Sequence, residues 1–302
     1  VAGGNEIETA ESLRFTIPYH YRRQNRIVTV SDFKTILISE FRNIDSINVW
    51  GGESNIVKNY GKIYISIKPK FSDKLTLIAK NQIQNDLISK YCVVGMQPVF
   101  IDPEFINVEM TIYAKVDGQK TNKTFGYLEK QITDTIINYN TQSLNVFDNF
   151  LSDVTLLNQI QQNIPALKSC YSKKILTKDQ TILYDSDIEN YLYMGNPIQN
   201  GVTSSTFTYG NQTCYFADDA NGYLYIYKLS DSLKLLEKTF GRIDYETGVI
   251  YYQYPKYARM VLNDFNTSGT ITFSMIPVNP DIETFLQNIV RITKIRVVLS
   301  NA

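Results

Sequence analysis

Apolar side chains return at helical intervals through the first half of the chain and at alternate positions through much of the second. In TVSDFKTILISEF, Phe33, Ile36, Leu37 and Phe41 share one helical face, with Thr29 or Ser31 placed to cap it. SINVWGG and KIYISIKPK then alternate in the manner of strands, separated by a polar stretch holding Gly51-Gly52, Asn59 and Gly61, so a hairpin with a long loop is predicted. Leu75 to Tyr91 reads as a second helix through Leu75, Ile78, Ile83, Leu87 and Tyr91, and extended chain follows from Val99 to Val116, broken at Asp102-Pro103. Helix, strand, strand, helix, strand predicts helices on one face of a small, mostly antiparallel sheet.

The theme returns in Phe125 to Tyr139 and Ser152 to Asn163, both helical by spacing, followed by the strand-like LKSCYSKKIL. Beyond Thr181, TFTYG, TCYFAD, GYLYIYKL, GVIYYQY and TITFSMIPV are punctuated by turn residues, with Asn221-Gly222 the clearest tight turn and Glu246-Thr247-Gly248 the turn of a hairpin. PDIETFLQNI reads as a late helix ahead of a β run, KIRVVL. The predicted class is α+β and multi-domain, with small α/β sandwich-like units followed by a mostly antiparallel β unit. The expected divisions are 1–28, a helical segment ended by Pro18; 29–120, an α+β domain; 121–181, a second α+β unit; and 182–302, mostly β with the late helix. The polar stretches Asp117 to Thr124 and Leu176 to Tyr184 are expected to absorb motion between rigid blocks.

Composition narrows the function classes. Thirty Lys and Arg balance thirty Asp and Glu, without the basic excess of a protein that grips nucleic acid. Cys92, Cys170 and Cys214 are too dispersed for a disulfide framework or a zinc knuckle, which fits a reducing compartment. Apolar runs are short, so neither membrane insertion nor a signal peptide is expected. A start at Val1 rather than Met suggests a piece of a longer protein. Twenty-two tyrosines, denser toward the end, suit solvent-edged sheet and protein interfaces.

Candidate chemistry is sparse. His20 is the single histidine and has no visible catalytic partner, which favours a surface or packing role. Asp218-Asp219 adjoins Asn221-Gly222, where a turn uses short polar side chains for its own backbone. DSDIEN from Asp185 alternates acids as a calcium loop opens, but lacks the sixth-position glycine and the distal glutamate. Phosphate loops, dinucleotide fingerprints and C-x-x-C pairs have no match, so no catalytic, metal or cofactor residues are assigned. Tyr19, Tyr21, Arg22, Arg23 and Arg26 join rings to guanidinium groups, the pairing that anchors protein interfaces, and form the candidate interface.

The first third of the chain carries a familiar order. Gly3-Gly4, a short helix from Glu8 to Phe15, Pro18, Arg22-Arg23, Arg26-Ile27-Val28-Thr29 and Asp32-Phe33 resemble, in sequence and spacing, the baseplate J-like family of contractile-tail wedge proteins. KIYISIKPK and VVGMQPVFIDPEFINVEMTIYAKV look like its continuation. The Tyr-rich unit with IPVNPDIETFLQNIVRITKIRVVL is similar to the C-terminal part of the large wedge-ring subunits of T-even-type phages. The resemblance implies a non-catalytic virion protein of the tail baseplate, assembled in the host cytoplasm. Its implied partners are further copies of itself, as a dimer or ring around the tail tube, and other wedge proteins, with rearrangement on sheath contraction. An equivalent subunit of another contractile injection machine is the related alternative, and a carbohydrate-binding tail module, from its Tyr-rich strands, the alternative of another class.

Overall fold

The computed structural model describes residues 14, 27, 29–41, 43–55, 57–91, 97–181, 190–209, 212–230, 234, 239–252, 261–262 and 270–302. The chain divides into two compact units, one of Val1–Glu104 with Val146–Asp148, the other of Phe105–Asn145 with Asn149–Ala302. The leading helix expected before Pro18 lies outside the described residues, apart from Arg14.

In the first unit, helix α1 (Val30–Glu40) opens with a capping box. The Asp32 carboxylate accepts the Thr29 backbone N–H at 2.8 Å and the Thr29 hydroxyl accepts that of Asp32 at 3.3 Å, satisfying N–H groups that the first turn leaves free. Phe33, Ile36 and Leu37 are fully buried and join Ile47, Val49, Ile65, Ile67 and Ile83 in one core. Burial of each such side chain contributes about 2 kcal/mol. Strand β1 (Ile44–Gly51) pairs antiparallel with β2 (Lys62–Pro69), the predicted hairpin. Gly52 is where its long loop closes: the Asn59 N–H donates to the Gly52 carbonyl at 2.9 Å, and a Cβ on Gly52 would fall 1.8 Å from the Asn59 oxygen. Helix α2 (Leu77–Lys90) leads into β3 (Gln97–Ile101), which runs parallel to β2, so this sheet is mixed rather than mostly antiparallel. Parallel pairing follows from the helix between the two strands, which returns the chain to its starting end.

In the second unit, β4 (Glu104–Val116) alternates strictly, with Ile106, Val108, Met110, Ile112, Ala114 and Val116 turned into the core. Helices α3 (Phe125–Ser143) and α4 (Asp153–Asn163) cover that face through Leu128, Ile132, Ile136, Leu156 and Ile160. The sheet continues through β5 (Leu167–Thr181), β6 (Asn190–Tyr193), β7 (Thr203–Ser204), β8 (Phe207–Tyr209), β9 (Gln212–Asp218) and β10 (Tyr223–Lys228). It is completed by β11 (Gly241–Asp244), β12 (Val249–Tyr252), β13 (Val261–Leu262), β14 (Thr270–Met275) and β15 (Asn288–Asn301). Its spatial order is β15-β4-β5-β14-β7-β9-β10-β11-β12-β6, with β8 and β13 branching at β9. The fold is thus α+β, with a large, mainly antiparallel sheet.

Both predicted turns form. Gly222 at φ +89° and Ala220 at φ 64° carry the β9–β10 turn, and Gly248 at φ +66° that of β11–β12. The predicted late helix does not. From Pro280 to Gln287 the chain is irregular, and β15 begins at Asn288. Ile282 exchanges backbone hydrogen bonds with Leu151, and the Asn196 side chain accepts the Glu283 N–H while donating to its carbonyl. Those backbone groups are therefore committed away from a helical ladder, and the β-branched Ile289 and Val290 that follow suit a strand.

The divisions expected at 120/121 and 181/182 both lie within the second unit, whose chain joins the first at Glu104–Phe105 and around Val146–Asp148. Asp117 to Thr124 links β4 to α3 inside it. The described part of the other expected hinge, Leu176 to Thr181, is strand: Leu176 pairs with Val108 on one side and Met275 on the other. Thr177 also pairs on both sides, and Lys178 to Thr181 pair with β14, so this part of the stretch is held in the sheet.

Candidate functional site

The residues the sequence nominates, Tyr19, Tyr21, Arg22, Arg23 and Arg26, lie outside the described residues, as do His20 and the acidic loop from Asp185 to Glu189. Asp218 and Asp219 are described, and both serve the fold. Asp219 Oδ1 accepts the N–H groups of Asn221 and Tyr223 at 3.0 Å each. Slight burial pushes its carboxyl up, but these bonds outweigh it and hold it below the usual range. Asp218 accepts the Gly201 N–H at 3.0 Å and the Tyr245 hydroxyl at 2.5 Å. Burial, then this carboxylate, raises the phenol's pKa.

Under the sheet, Asp153 opens α4 and accepts hydrogen bonds from the Lys174 ammonium and, at 2.5 Å, from Ser172 Oγ, tying the helix to β5. The Lys174 and Asp153 side chains retain 3% and 13% of their exposure. Cys170, on the same strand, is held as a thiol by burial and then by the Asp153 charge, its pKa pushed up to about 11. Among the described residues, no three His, Cys, Asp or Glu side chains converge as a metal site would require.

A concavity lies on the face of β15, β4 and β5 opposite α3 and α4. Alternation sends Glu109, Thr111 and Tyr113 of β4 and Lys173 and Ile175 of β5 to this side, and a break in the alternation of β15 after Ile292, past which Ile295 and Val297 take the core side, leaves Lys294 and Arg296 on it too. With Pro277 and Val278 they line a groove of about 740 Å³. Tyr113 stacks on Tyr171, centroids 5.0 Å apart and planes within 9°, and Lys173 Nζ stands 5.5 Å from the Tyr113 ring. Lys294 pairs with Glu109 at 3.3 Å. Ile175 and Val278 remain 43% and 54% exposed. The sequence signal for this face is the polar half of EFINVEMTIYAKV; Lys294 and Arg296 lie in KIRVVL, which reads as a β run, but its place beside β4 has no local signal.

The first unit exposes apolar residues of its own around the start of α2, Phe71 at 90%, Leu77 at 72% and Ile78 at 80%. Ile78 had been expected on the buried stripe of that helix. The helix begins only at Leu77, so Ile78 falls in its first turn, while Ile83 does reach the core.

Rings, aliphatic tips and cations offered together on sheet and helix faces are the make-up of a protein that works through contact surfaces. Comparison with known proteins points the same way. Residues 29–101 match the family model described as "Baseplate structural protein gp6, C-terminal domain I". The chain is also 20% identical over 210 residues to the baseplate wedge protein gp6 of Enterobacteria phage T4, an alignment covering 69% of this chain and 31% of that protein.

Proposed function

We propose that this chain is a structural, non-catalytic part of a phage tail baseplate wedge, residing in the virion's tail. It contributes to a ring of like subunits around the tail tube, joins other wedge proteins, and shifts when the sheath contracts. The observation that carries the reading is the coincidence of two independent boundaries. The family match over residues 29–101 falls inside the first compact unit, which has its own core and sheet and gives way to the second at Glu104–Phe105. A likeness confined to fragments of unrelated elements would not respect that unit. The alignment with the T4 wedge protein, over 69% of this chain, extends the likeness past that unit.

A ring requires each copy to present contacts on two sides. The interface residues Tyr19, Tyr21, Arg22, Arg23 and Arg26 remain part of this reading as one such contact, and kinship with baseplate J-like wedge proteins belongs to it as well. Light scattering over a range of concentrations tests self-association: mass rising above 34.7 kDa with concentration is the expected result. A constant mass of one chain, alone and with wedge partners present, contradicts the ring.

A further inference from the structure

Resting on the reading above, we propose that the groove on the open face of β15, β4 and β5 receives an extended acidic segment of a different neighbouring protein, carrying a bulky apolar side chain beside its carboxylates.

Charge and spacing lead to this occupant. The rim holds the cations Lys173, Lys294 and Arg296 and the single carboxylate of Glu109, which Lys294 already engages. Among the described residues neither Lys173 nor Arg296 has a carboxylate within ion-pair distance. Lys174 also borders the groove, but its ammonium turns to buried Asp153. Two cationic side chains thus face an open groove with no charge to answer them, and a partner that supplied further cations would meet repulsion.

The strand period sets the partner's backbone. Lys294 and Arg296 are two residues apart on β15, hence about 6.6 Å apart along it, the same distance that separates alternate side chains of an extended chain. A helix would present neighbours on one face at three- and four-residue intervals, out of step with this row. Toward the β5 and β14 side of the groove the surface is apolar: Ile175 and Val278 leave hydrocarbon exposed, which an aliphatic or aromatic side chain would cover. Carboxylates and an apolar side chain at alternate positions on one side of an extended chain answer these features together.

The test uses a synthetic peptide repeating Glu-Ser-Leu-Ser, which when extended turns its glutamates and leucines to one side. Peptides repeating Lys-Ser-Leu-Ser and Glu-Ser-Ser-Ser serve for comparison. Titration of the chain is expected to favour the Glu-Ser-Leu-Ser peptide over both, with affinity falling about tenfold or more in the double variant Lys173→Glu, Arg296→Glu. The milder Lys173→Gln, Arg296→Gln pair should show a smaller loss in the same direction if the charge reversal disturbs folding. A carbodiimide, which joins amines directly to carboxylates, should link the peptide to Lys173 or Lys294. Equal affinity for the three peptides, or binding unchanged in both variants, overturns the proposal. In purified tails the same reagent should join these lysines to Asp or Glu of another polypeptide. Linkage to a second copy of this chain, or only to Glu109, counts against the proposal. Absence of this chain from tails would refute the baseplate reading while leaving the peptide result to decide the groove.

Discussion

Strands β2 and β4 are built from similar residues and end in different roles. In β2, the five successive residues Ile65 to Pro69 are all buried, so both faces of the strand are covered. In β4, burial alternates without a break from Ile106 to Ala114, and one face stays open. The covered second face of the small sheet carries polar groups: Lys68 pairs with Asp45 at 2.5 Å, and Ser66 Oγ meets no hydrogen-bond partner among the described residues. A strand closed on both sides specifies its own unit; a strand closed on one side leaves a face with which to meet another molecule.

Substitutions on the two faces of the second unit should separate sharply. Ile112→Ala, fully buried under α3 and α4, is expected to lower stability by about 4 kcal/mol in urea or guanidinium unfolding. Lys174→Ala should cost about 3 kcal/mol, because it strands the Asp153 carboxylate beneath the sheet. The double change Lys174→Met, Asp153→Ser should recover part of that loss, since the pair rather than either charge alone is what the core tolerates.

On the closed side of β5, Cys170 should alkylate slowly in the native protein. Its pKa near 11, against an ordinary 9.0, leaves about a hundredfold less thiolate at pH 8, a difference that iodoacetamide kinetics with and without denaturant will read. Because the folded form holds this proton more tightly, its contribution to stability is complete below pH 9 and is lost as pH rises toward 11. Ser66→Ala should stabilise the first unit slightly, by about 1 kcal/mol or less, by removing a buried hydroxyl that lacks a partner. Thr111→Ala, on the open face of β4, should change stability by no more than about 0.5 kcal/mol. Equal losses at Ile112 and Thr111 would break the distinction between closed and open faces.

Much of this organisation was legible where the determining interactions are local. The Thr29 cap, the α1 stripe, the Asn221-Gly222 turn and the α3 periodicity depend on residues a few positions apart, and each takes its predicted form; α4 forms where expected but buries Leu156 with Ile160, while Val154, expected on its apolar side, is exposed. PDIETFLQNI misled because its helical spacing is real but its backbone is claimed from far away, by Leu151 and Asn196. The polar stretch from Leu176 reads as a linker, although β14 pairs with all of its described part and β4 with Leu176 and Thr177. The groove was the least legible feature, since its walls come from residues 109, 173, 278 and 296, which only the sheet order brings together. The interface residues from Tyr19 to Arg26 lie outside the described residues.

The central question is whether this chain is built into a baseplate. Cryo-electron microscopy of contractile tails purified from cells that produce it, with sheaths extended and contracted, tests that most directly. The predicted result is density for both compact units in every wedge, in contact with a neighbouring copy and displaced between the two states. Tails whose baseplates are complete without this chain would contradict it.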